Sequence, residues 1–176
     1  MLFCELVKIR ESCRSYDSER EIEENKIMEI LECARLSPSA CNGQPYQITV
    51  CRGEKAKKVA KATQGMGMNG FASDAPVLVV ISQKDYVKTA ALGSKVKGID
   101  YRSIDIGILC AHLTLAAAEL GVGSCFLGWL DSKKIENELS LDGRVDAVVT
   151  LGYPKEEKPP RDKKRKAFDE LIKFCE

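Results

Sequence analysis

The chain has 176 residues, 44% of them hydrophobic, and a formal net charge of +1. This length suffices for one well-packed domain, and the near-zero charge predicts no general attraction to nucleic acid or to membrane surfaces. We predict a single domain over residues 1–176 that ends in a basic C-terminal extension, residues 155–176. Within it, residues 155–166 carry +4 while the rest of the chain sums to −3. Charge alone leaves two interpretations open, a solvated tail and an anion site.

The eight cysteines are scattered along the chain and form no CxxC pair. Structural zinc and iron–sulfur sites need closely spaced cysteines, so no metal site is expected. The opening residues MLFCELVKIRE do not resemble a secretory signal, and we therefore expect reduced thiols in a cytoplasmic protein. The long apolar stretch at residues 104–120 includes an aspartate, a histidine and a glutamate. It is expected to be a buried helix rather than a membrane span.

Hydrophobic periodicity predicts the elements of the N-terminal half in chain order. Residues 2–7 indicate a short amphipathic helix, and one apolar stripe over residues 21–36 indicates a second. This helix ends at Ser37-Pro38, because the residue before a proline avoids helical backbone. The sequence YQITVC predicts a strand, EKAKKVAKAT a mostly solvated helix, and QGMGMNGFASDAP a glycine-rich loop.

The second half begins with VLVVIS, an apolar run without alternation that is typical of a strand buried on both faces. The helix at residues 104–120 is apolar nearly all round, so it should lie at the centre of the domain or in an interface. GVGSCFLGWL predicts a turn into a strand, SKKIENELS a short helix, and VDAVVTLGYP the last strong strand. These elements predict an α+β domain in which helices flank a central, mainly antiparallel or mixed sheet.

The sequence contains two polar clusters that could bind a ligand. In IRESCRSY, Arg10 and Arg14 flank Ser12, and two guanidinium groups with a hydroxyl could bind a phosphate or another anion. The alternative is a pair of surface arginines that neutralise nearby acidic residues. In LSPSACNGQPYQITV, hydroxyl and amide side chains that both donate and accept hydrogen bonds suit a ligand with C=O and N–H groups along one edge. The alternative is an ordinary polar loop.

Side chains for acid–base or nucleophilic catalysis are scarce. The histidine of this sequence, His112, lies in the apolar helix, where a core or interface role is expected rather than a general base. GxSxG, HExxH and P-loop patterns are absent, and GMGMNG has the GxGxxG spacing but does not open a helix after a strand. We therefore predict that no protein side chain is the catalytic group and that an enzyme built on this sequence takes its chemistry from a cofactor.

Together these segments resemble the nitroreductase-like flavoproteins in their compact form. The signature is Arg-x-Ser-x-Arg/Lys, one helix, and a Pro-Ser-x-x-Asn-x-Gln-Pro-aromatic turn. NGFASDAPVLVVI, SIDIGILCAHLTLAAAELGVGSCFLGWL and VVTLGYPKEEKPPRDKKRK continue the resemblance in the family's order. It implies a nitroreductase-like fold and a homodimer with FMN at the subunit interface. It also implies NAD(P)H as the electron donor, a small-molecule acceptor, and no partnership with nucleic acid or membrane.

The resemblance also implies positions for the cofactor-binding residues. The N-terminal group, which would face the phosphate, ribityl chain and pyrimidine edge of FMN, comprises Arg10, Ser12 and Arg14. The group that would line the isoalloxazine ring and ribityl chain comprises Pro38, Ser39, Asn42 and Gln44. Asn69 matches an asparagine near the N5 side of the ring. The turn that would pack on the flavin comprises Phe126, Leu127 and Gly128, and the basic pair at the phosphate comprises Lys163 and Arg165.

The implied activity is ping-pong hydride transfer through flavin N5 from NAD(P)H to a nitroaromatic, a quinone or a similar acceptor. A flavin-binding redox sensor or FMN carrier with little turnover is a second hypothesis. A nucleic-acid-binding module built on KKRK is a third, although no interleaved aromatic and basic residues support it. Residues 84–103 are the candidate cover over the flavin. The sequence leaves the acceptor and the choice between NADH and NADPH open.

Overall fold

The computed structural model describes residues 2–87, 93, 96–156 and 158–175. Its centre is a four-stranded sheet with the strand order β1-β2-β4-β3, in which every neighbouring pair is antiparallel. The strands are β1 (Tyr46–Arg52), β2 (Val77–Gln83), β3 (Gly123–Leu127) and β4 (Val145–Gly152). The α+β class and the antiparallel sheet predicted from the sequence are confirmed.

Helices cover both faces of this sheet. They are α1 (Phe3–Ile9), α2 (Glu24–Arg35), α3 (Gly53–Thr63), α4 (Tyr101–Glu119), α5 (Ser132–Leu139) and α6 (Phe168–Leu171), with 3-10 turns at Ala40–Asn42 and Gly70–Asp74. The second helix begins later than residue 21, because Ile22 enters the core from the extended segment that precedes α2. Ile22 fits the helical spacing of the apolar stripe although its backbone is extended.

The two faces of β2 bury alternate side chains, as the prediction of a strand covered on both sides requires. Val79 and Ile81 pack with α2 and α4, whereas Leu78 and Val80 pack with α3 and α5. All four are fully buried. Helix α3 is solvated on one side only: its charged residues are exposed, whereas Val59 packs with Leu78 and Val80.

Helix α4 contacts α1, α2, β3 and β4. Its inner side is fully buried at Leu109 and Leu113, while Ile104 is 50% exposed on the outer side. His112 is also exposed, and its Nδ1 lies 2.9 Å from the carbonyl oxygen of Ile108. His112 therefore does not lie in the core, and its interface role stays a prediction. An apolar outer face remains, as an interface would require.

None of the helices in the described ranges combines the length and apolar character that crossing a membrane requires. The eight cysteines are all free thiols.

Candidate functional site

The N-terminal segment after α1 lies beside the edge strand β3. Ser12 and Ser124 form a parallel bridge, and the Cys13 amide donates to the Ser124 carbonyl at 2.9 Å. Tyr16, only 2% exposed, donates its hydroxyl hydrogen to the Cys13 carbonyl at 3.0 Å and lies 2.7 Å from Thr150 Oγ1. Burial raises the pKa of Tyr16, so the phenol stays neutral and keeps its donor. The backbone of this segment is therefore fixed against the sheet.

This segment presents the predicted trio Arg10, Ser12 and Arg14. Arg10 and Ser12 are half-buried and Arg14 is exposed. In the described part of the chain, neither arginine side chain is ion-paired, and the nearby carboxylate of Glu11 binds Arg161 instead, at 3.0 Å. The alternative of arginines neutralised by neighbouring acids is thus not what the structure shows. Two guanidinium groups stay available for an anion.

The basic tail folds back onto this trio. Lys163 donates from Nζ to the Arg10 carbonyl at 2.7 Å, and Arg161 donates to the Ser12 carbonyl at 3.0 Å. Arg165 stays exposed, and its guanidinium donates to the carbonyl of its neighbour Lys164. Of the predicted basic pair, the structure brings Lys163 to the N-terminal segment but not Arg165.

An open groove of about 1030 Å³ borders the trio. Ser12 and Arg14 form part of its wall, together with Arg20 and Lys26. The last two are engaged with Tyr153: the Arg20 guanidinium lies 3.6 Å from the ring centroid, and Lys26 Nζ donates to the hydroxyl at 2.8 Å. Basic groups therefore outnumber acidic ones around this groove, which favours an anionic ligand.

The glycine-rich loop is joined to the turn after β3 by Asn69. Its Nδ2 donates to the carbonyls of Thr63, at 3.0 Å, and Trp129, at 3.2 Å. The amide hydrogens of Asn69 are thus used inside the protein, and Oδ1 remains as an acceptor. In the predicted turn, Phe126 is 48% exposed and Gly128 is exposed, whereas the Leu127 side chain is buried in the core. Leu127 can reach a ligand through its backbone alone.

The Pro38–Gln44 turn forms a separate cluster. Pro38, Asn42 and Gln44 are exposed and Ser39 is half-buried. Ser39 Oγ accepts from the Gln44 amide at 3.0 Å, and Gln44 Nε2 donates to Asn42 Oδ1 at 3.2 Å. Among the described residues, Asn42 Nδ2 and Gln44 Oε1 keep one donor group and one acceptor without a partner. That is the neutral, two-way chemistry predicted for this turn.

The predicted residues thus fall into two groups. The first half-site comprises Arg10, Ser12, Arg14, Asn69, Phe126, Leu127, Gly128 and Lys163. The second half-site comprises Pro38, Ser39, Asn42 and Gln44.

The two half-sites occupy opposite corners of the sheet. Strand pairing aligns Ser12, across the sheet, with Arg52 at the C-terminal end of β1; the row between them contains Ser124, Leu151 and Val77. The second half-site comes just before the N-terminal end of β1. The length of β1 is roughly 20 Å, and four strand spacings across the sheet are roughly 19 Å. Ser12 and the start of β1 are therefore roughly 28 Å apart on the diagonal. Leu127 lies in the row of Thr49, closer to the second half-site. A phosphate held beside Ser12 and Arg14 is thus far from the second half-site of the same chain.

The candidate cover at residues 84–103 is only partly described, since residues 88–92 and 94–95 lie outside the described ranges. In its described part, Val87 packs against Gly43, where a Cβ atom would stand 3.2 Å from the valine Cγ2. The start of this segment therefore lies against the second half-site.

Three features of the candidate site were not predicted from the sequence. Tyr16 fixes the N-terminal segment, the Glu11–Arg161 pair fixes the tail, and Trp129 lies over Gly65 beside Asn69. The motif IRESCRSY contained Tyr16 and Glu11, but Thr150 and Arg161, with which they pair, are more than a hundred residues away in the sequence. A local pattern has no access to such pairs.

An antiparallel sheet with helices on both faces and an N-terminal segment along its edge defines an α+β domain of the nitroreductase fold. The chain belongs to the nitroreductase family, whose profile matches residues 7–67 and 63–153. It is therefore an oxidoreductase enzyme. It is 29% identical over 180 positions to a Thermus thermophilus protein named NADH dehydrogenase, with 86% of each chain covered.

Solved structures agree with this assignment. An FMN-dependent nitroreductase from Clostridium difficile R20291 has 26% identity and a TM-score of 0.77, with 97% of this chain and 98% of that chain covered. A nitroreductase family protein from Streptococcus pneumoniae TIGR4 superposes with a TM-score of 0.83 at 24% identity, covering 99% of this chain and 100% of that one. The second likeness shows the fold alone.

Proposed function

We propose that this enzyme is an FMN-dependent NAD(P)H oxidoreductase that transfers electrons, by a ping-pong route, to a nitroaromatic, a quinone or a similar acceptor. Family membership and the names of two relatives, FMN-dependent nitroreductase and NADH dehydrogenase, support this proposal. The observation that carries it is the pair of half-sites. The first half-site is cationic, and the second is neutral and offers both hydrogen-bond donors and acceptors. The phosphate end of FMN needs the first kind of site, and the ring end needs the second.

The first half-site suits the phosphate end. Arg10 and Arg14 have no carboxylate partner in the described ranges, and Lys163 is held 2.7 Å from the Arg10 carbonyl. Charged hydrogen bonds of this kind contribute about 1.5–3 kcal/mol each. Three of them, with the Ser12 hydroxyl, would hold a phosphate without a glycine-rich phosphate loop.

The second half-site suits the ring and the ribityl chain. Asn42 Nδ2 and Gln44 Oε1 supply a donor and an acceptor, and the packed Gly43–Val87 contact limits the motion of the turn. Phe126, in the first half-site, adds a half-exposed aromatic surface on which a flat ring can pack.

A phosphate bound beside Ser12 lies roughly 28 Å from the second half-site of the same chain, which favours a second half-site supplied by another copy. We therefore propose a homodimer in which each FMN is bound by the first half-site of one chain and the second half-site of the other. Large apolar side chains exposed on the tail and on α4 support this assembly. They are Phe168, Leu171, Ile172, Phe174 and Ile104.

Bound FMN supplies the chemistry, since N5 accepts a hydride and the ring returns electrons to an acceptor. The protein would bind and orient the ring, and the Arg10 or Arg14 guanidinium that reaches the pyrimidine edge would stabilise the negative charge that reduction brings. No side-chain acid or base is required in this scheme. His112, exposed on α4, has its Nδ1 occupied by the Ile108 carbonyl.

We also propose that residues 1–176 form one domain with a basic extension and that the enzyme is cytoplasmic. The free state of all eight cysteines, including the exposed Cys4, Cys41 and Cys175, supports a reducing compartment.

The test is anaerobic reduction of the FMN-loaded protein, followed in the visible spectrum after mixing with NADH or NADPH. Rapid bleaching of the flavin bands is expected, and the faster nucleotide is the donor. Reoxidation by a quinone or nitroaromatic would complete the cycle. Bound flavin that stays oxidised would favour a sensor or carrier instead. A protein that does not bind added FMN would refute the proposal.

A further inference from the structure

Helix α4 contains a buried carboxylate that the two half-sites do not include. Asp105 is only 2% exposed, and its Oδ1 accepts a hydrogen bond from the Ala40 amide at 3.0 Å. Its Oδ2 is buried and has no hydrogen-bond partner among the described residues. A buried carboxylate that is only half satisfied weakens a fold, so packing alone does not account for an aspartate here.

The segment that Asp105 holds is strained. Cys41, Asn42 and Gln44 have φ values of 51°, 52° and 45°, which L-residues rarely adopt. Three such residues within four positions persist only where the surroundings dictate the conformation. The turn thus stores strain at the place where the second half-site presents its amides.

Most hydrogen bonds of the turn are local. They fix its backbone conformation rather than its position relative to the rest of the domain. The Asn42 and Gly43 amides donate to carbonyls of the turn itself, and the Gln44 amide donates to Ser39 Oγ. The Ala40–Asp105 bond joins the strained residues to a helix 65 positions away in the sequence. It connects the turn with α4, whose inner side is buried in the core.

We propose that Asp105 is the positioning residue of the second half-site. Its carboxylate holds the strained turn on α4, so that Asn42 and Gln44 are already oriented when FMN arrives. This inference rests on the proposed FMN function. Asp105 itself is buried and touches no ligand, and its effect passes entirely through the Ala40 amide.

The experiment compares Asp105→Ala and Asp105→Asn with Thr114→Val as the control. Thr114 is buried on the same helix, and its hydroxyl bonds only to the carbonyls of Cys110 and Ala111 in that helix. Amide hydrogen exchange of residues 40–44 is measured in the FMN-free protein, and FMN affinity is measured by fluorescence titration.

Asp105→Ala is expected to accelerate exchange at residues 40–44 and to raise the FMN dissociation constant about tenfold, because a pre-organised turn becomes mobile. Asp105→Asn, which keeps an oxygen for the Ala40 amide, should restore both values towards wild type. Thr114→Val should change neither, even at a similar loss of Tm.

Unchanged exchange and affinity in a folded Asp105→Ala protein would overturn the inference. So would equal losses in Asp105→Ala and Thr114→Val. If the wild-type protein bound no FMN while the exchange difference persisted, the proposed function would fail and the positioning contact would stand.

Discussion

The contact between Glu11 and Arg161 fixes the basic tail, and Glu11→Gln should release it. The Glu11 carboxylate accepts from the Arg161 backbone amide at 3.2 Å and from Nε at 3.0 Å. Beyond residue 158, the described tail has no buried residue, and only Lys163 is half-buried. The tail is therefore held by few bonds, and each should have a measurable effect on its docking.

The structure limits how large this effect is. The side chains of Arg161 and Glu11 are 64% and 35% exposed, so solvent screens the pair. Such pairs contribute at most about 1 kcal/mol, which corresponds to about a fivefold change in an equilibrium constant. Glu11→Gln should thus raise the FMN dissociation constant up to about fivefold, because Lys163 docks less often.

The assay is fluorescence titration of FMN at low and high salt, with limited proteolysis of the tail in parallel. The matched control is Glu54→Gln, whose carboxylate binds Lys57 at 2.9 Å on the exposed side of α3. The difference between Glu11→Gln and wild type should shrink at high salt. Wild-type affinity and wild-type tail protection in Glu11→Gln, or an equal loss in Glu54→Gln, would refute the role of the Glu11–Arg161 contact.

Three further predictions follow from the first half-site. Burial raises the pKa of Glu11, but its hydrogen bonds to Arg161 outweigh burial and lower the pKa below 4.5. The Glu11–Arg161 contact should therefore be fully formed above pH 4.5 and be lost as pH falls through the lowered pKa of Glu11. Proteolysis of the tail across this pH range checks the prediction. Tyr16→Phe, which removes a buried hydroxyl, should lower the free energy of unfolding in urea by about 1–3 kcal/mol and weaken FMN binding; full stability would contradict the role of Tyr16. Lys163→Ala should weaken FMN binding more than Arg165→Ala, because, of these two residues, it is Lys163 that contacts the N-terminal segment. The reverse order in FMN titrations would place Arg165 in the site.

Much of the secondary structure could be predicted because its causes are local. The apolar run at residues 77–83 requires a strand covered on both faces, and Pro38 stops the preceding helix. The buried side of helix α3 was not predicted, because its residues, Ala56, Val59 and Ala60, are mostly too small to give a strong apolar stripe. Burial of alanine depends on what packs over it, which the local sequence does not contain.

The predicted site residues follow from local motifs, but their arrangement in the fold does not. The local motifs around Arg10 and Asn42 predicted both groups of residues. The distance between the two half-sites follows from the strand order of the sheet, which depends on pairing between distant strands. The tail contact with Arg10 and the Asp105–Ala40 bond likewise join residues 65 or more positions apart. Such contacts appear only once the chain is folded.

Complementation between two defective chains tests the shared FMN site most directly. One variant combines Asn42→Ala with Gln44→Ala, and the other combines Arg14→Ala with Lys163→Ala. Each is purified as a homodimer, and the mixed dimer is isolated by co-expression with two different affinity tags. Both homodimers should bind FMN weakly, whereas the mixed dimer should bind one FMN per dimer with wild-type affinity and regain NAD(P)H-dependent bleaching. A mixed dimer as weak as its parents would contradict a site shared between chains, as would tight FMN binding by a monomer.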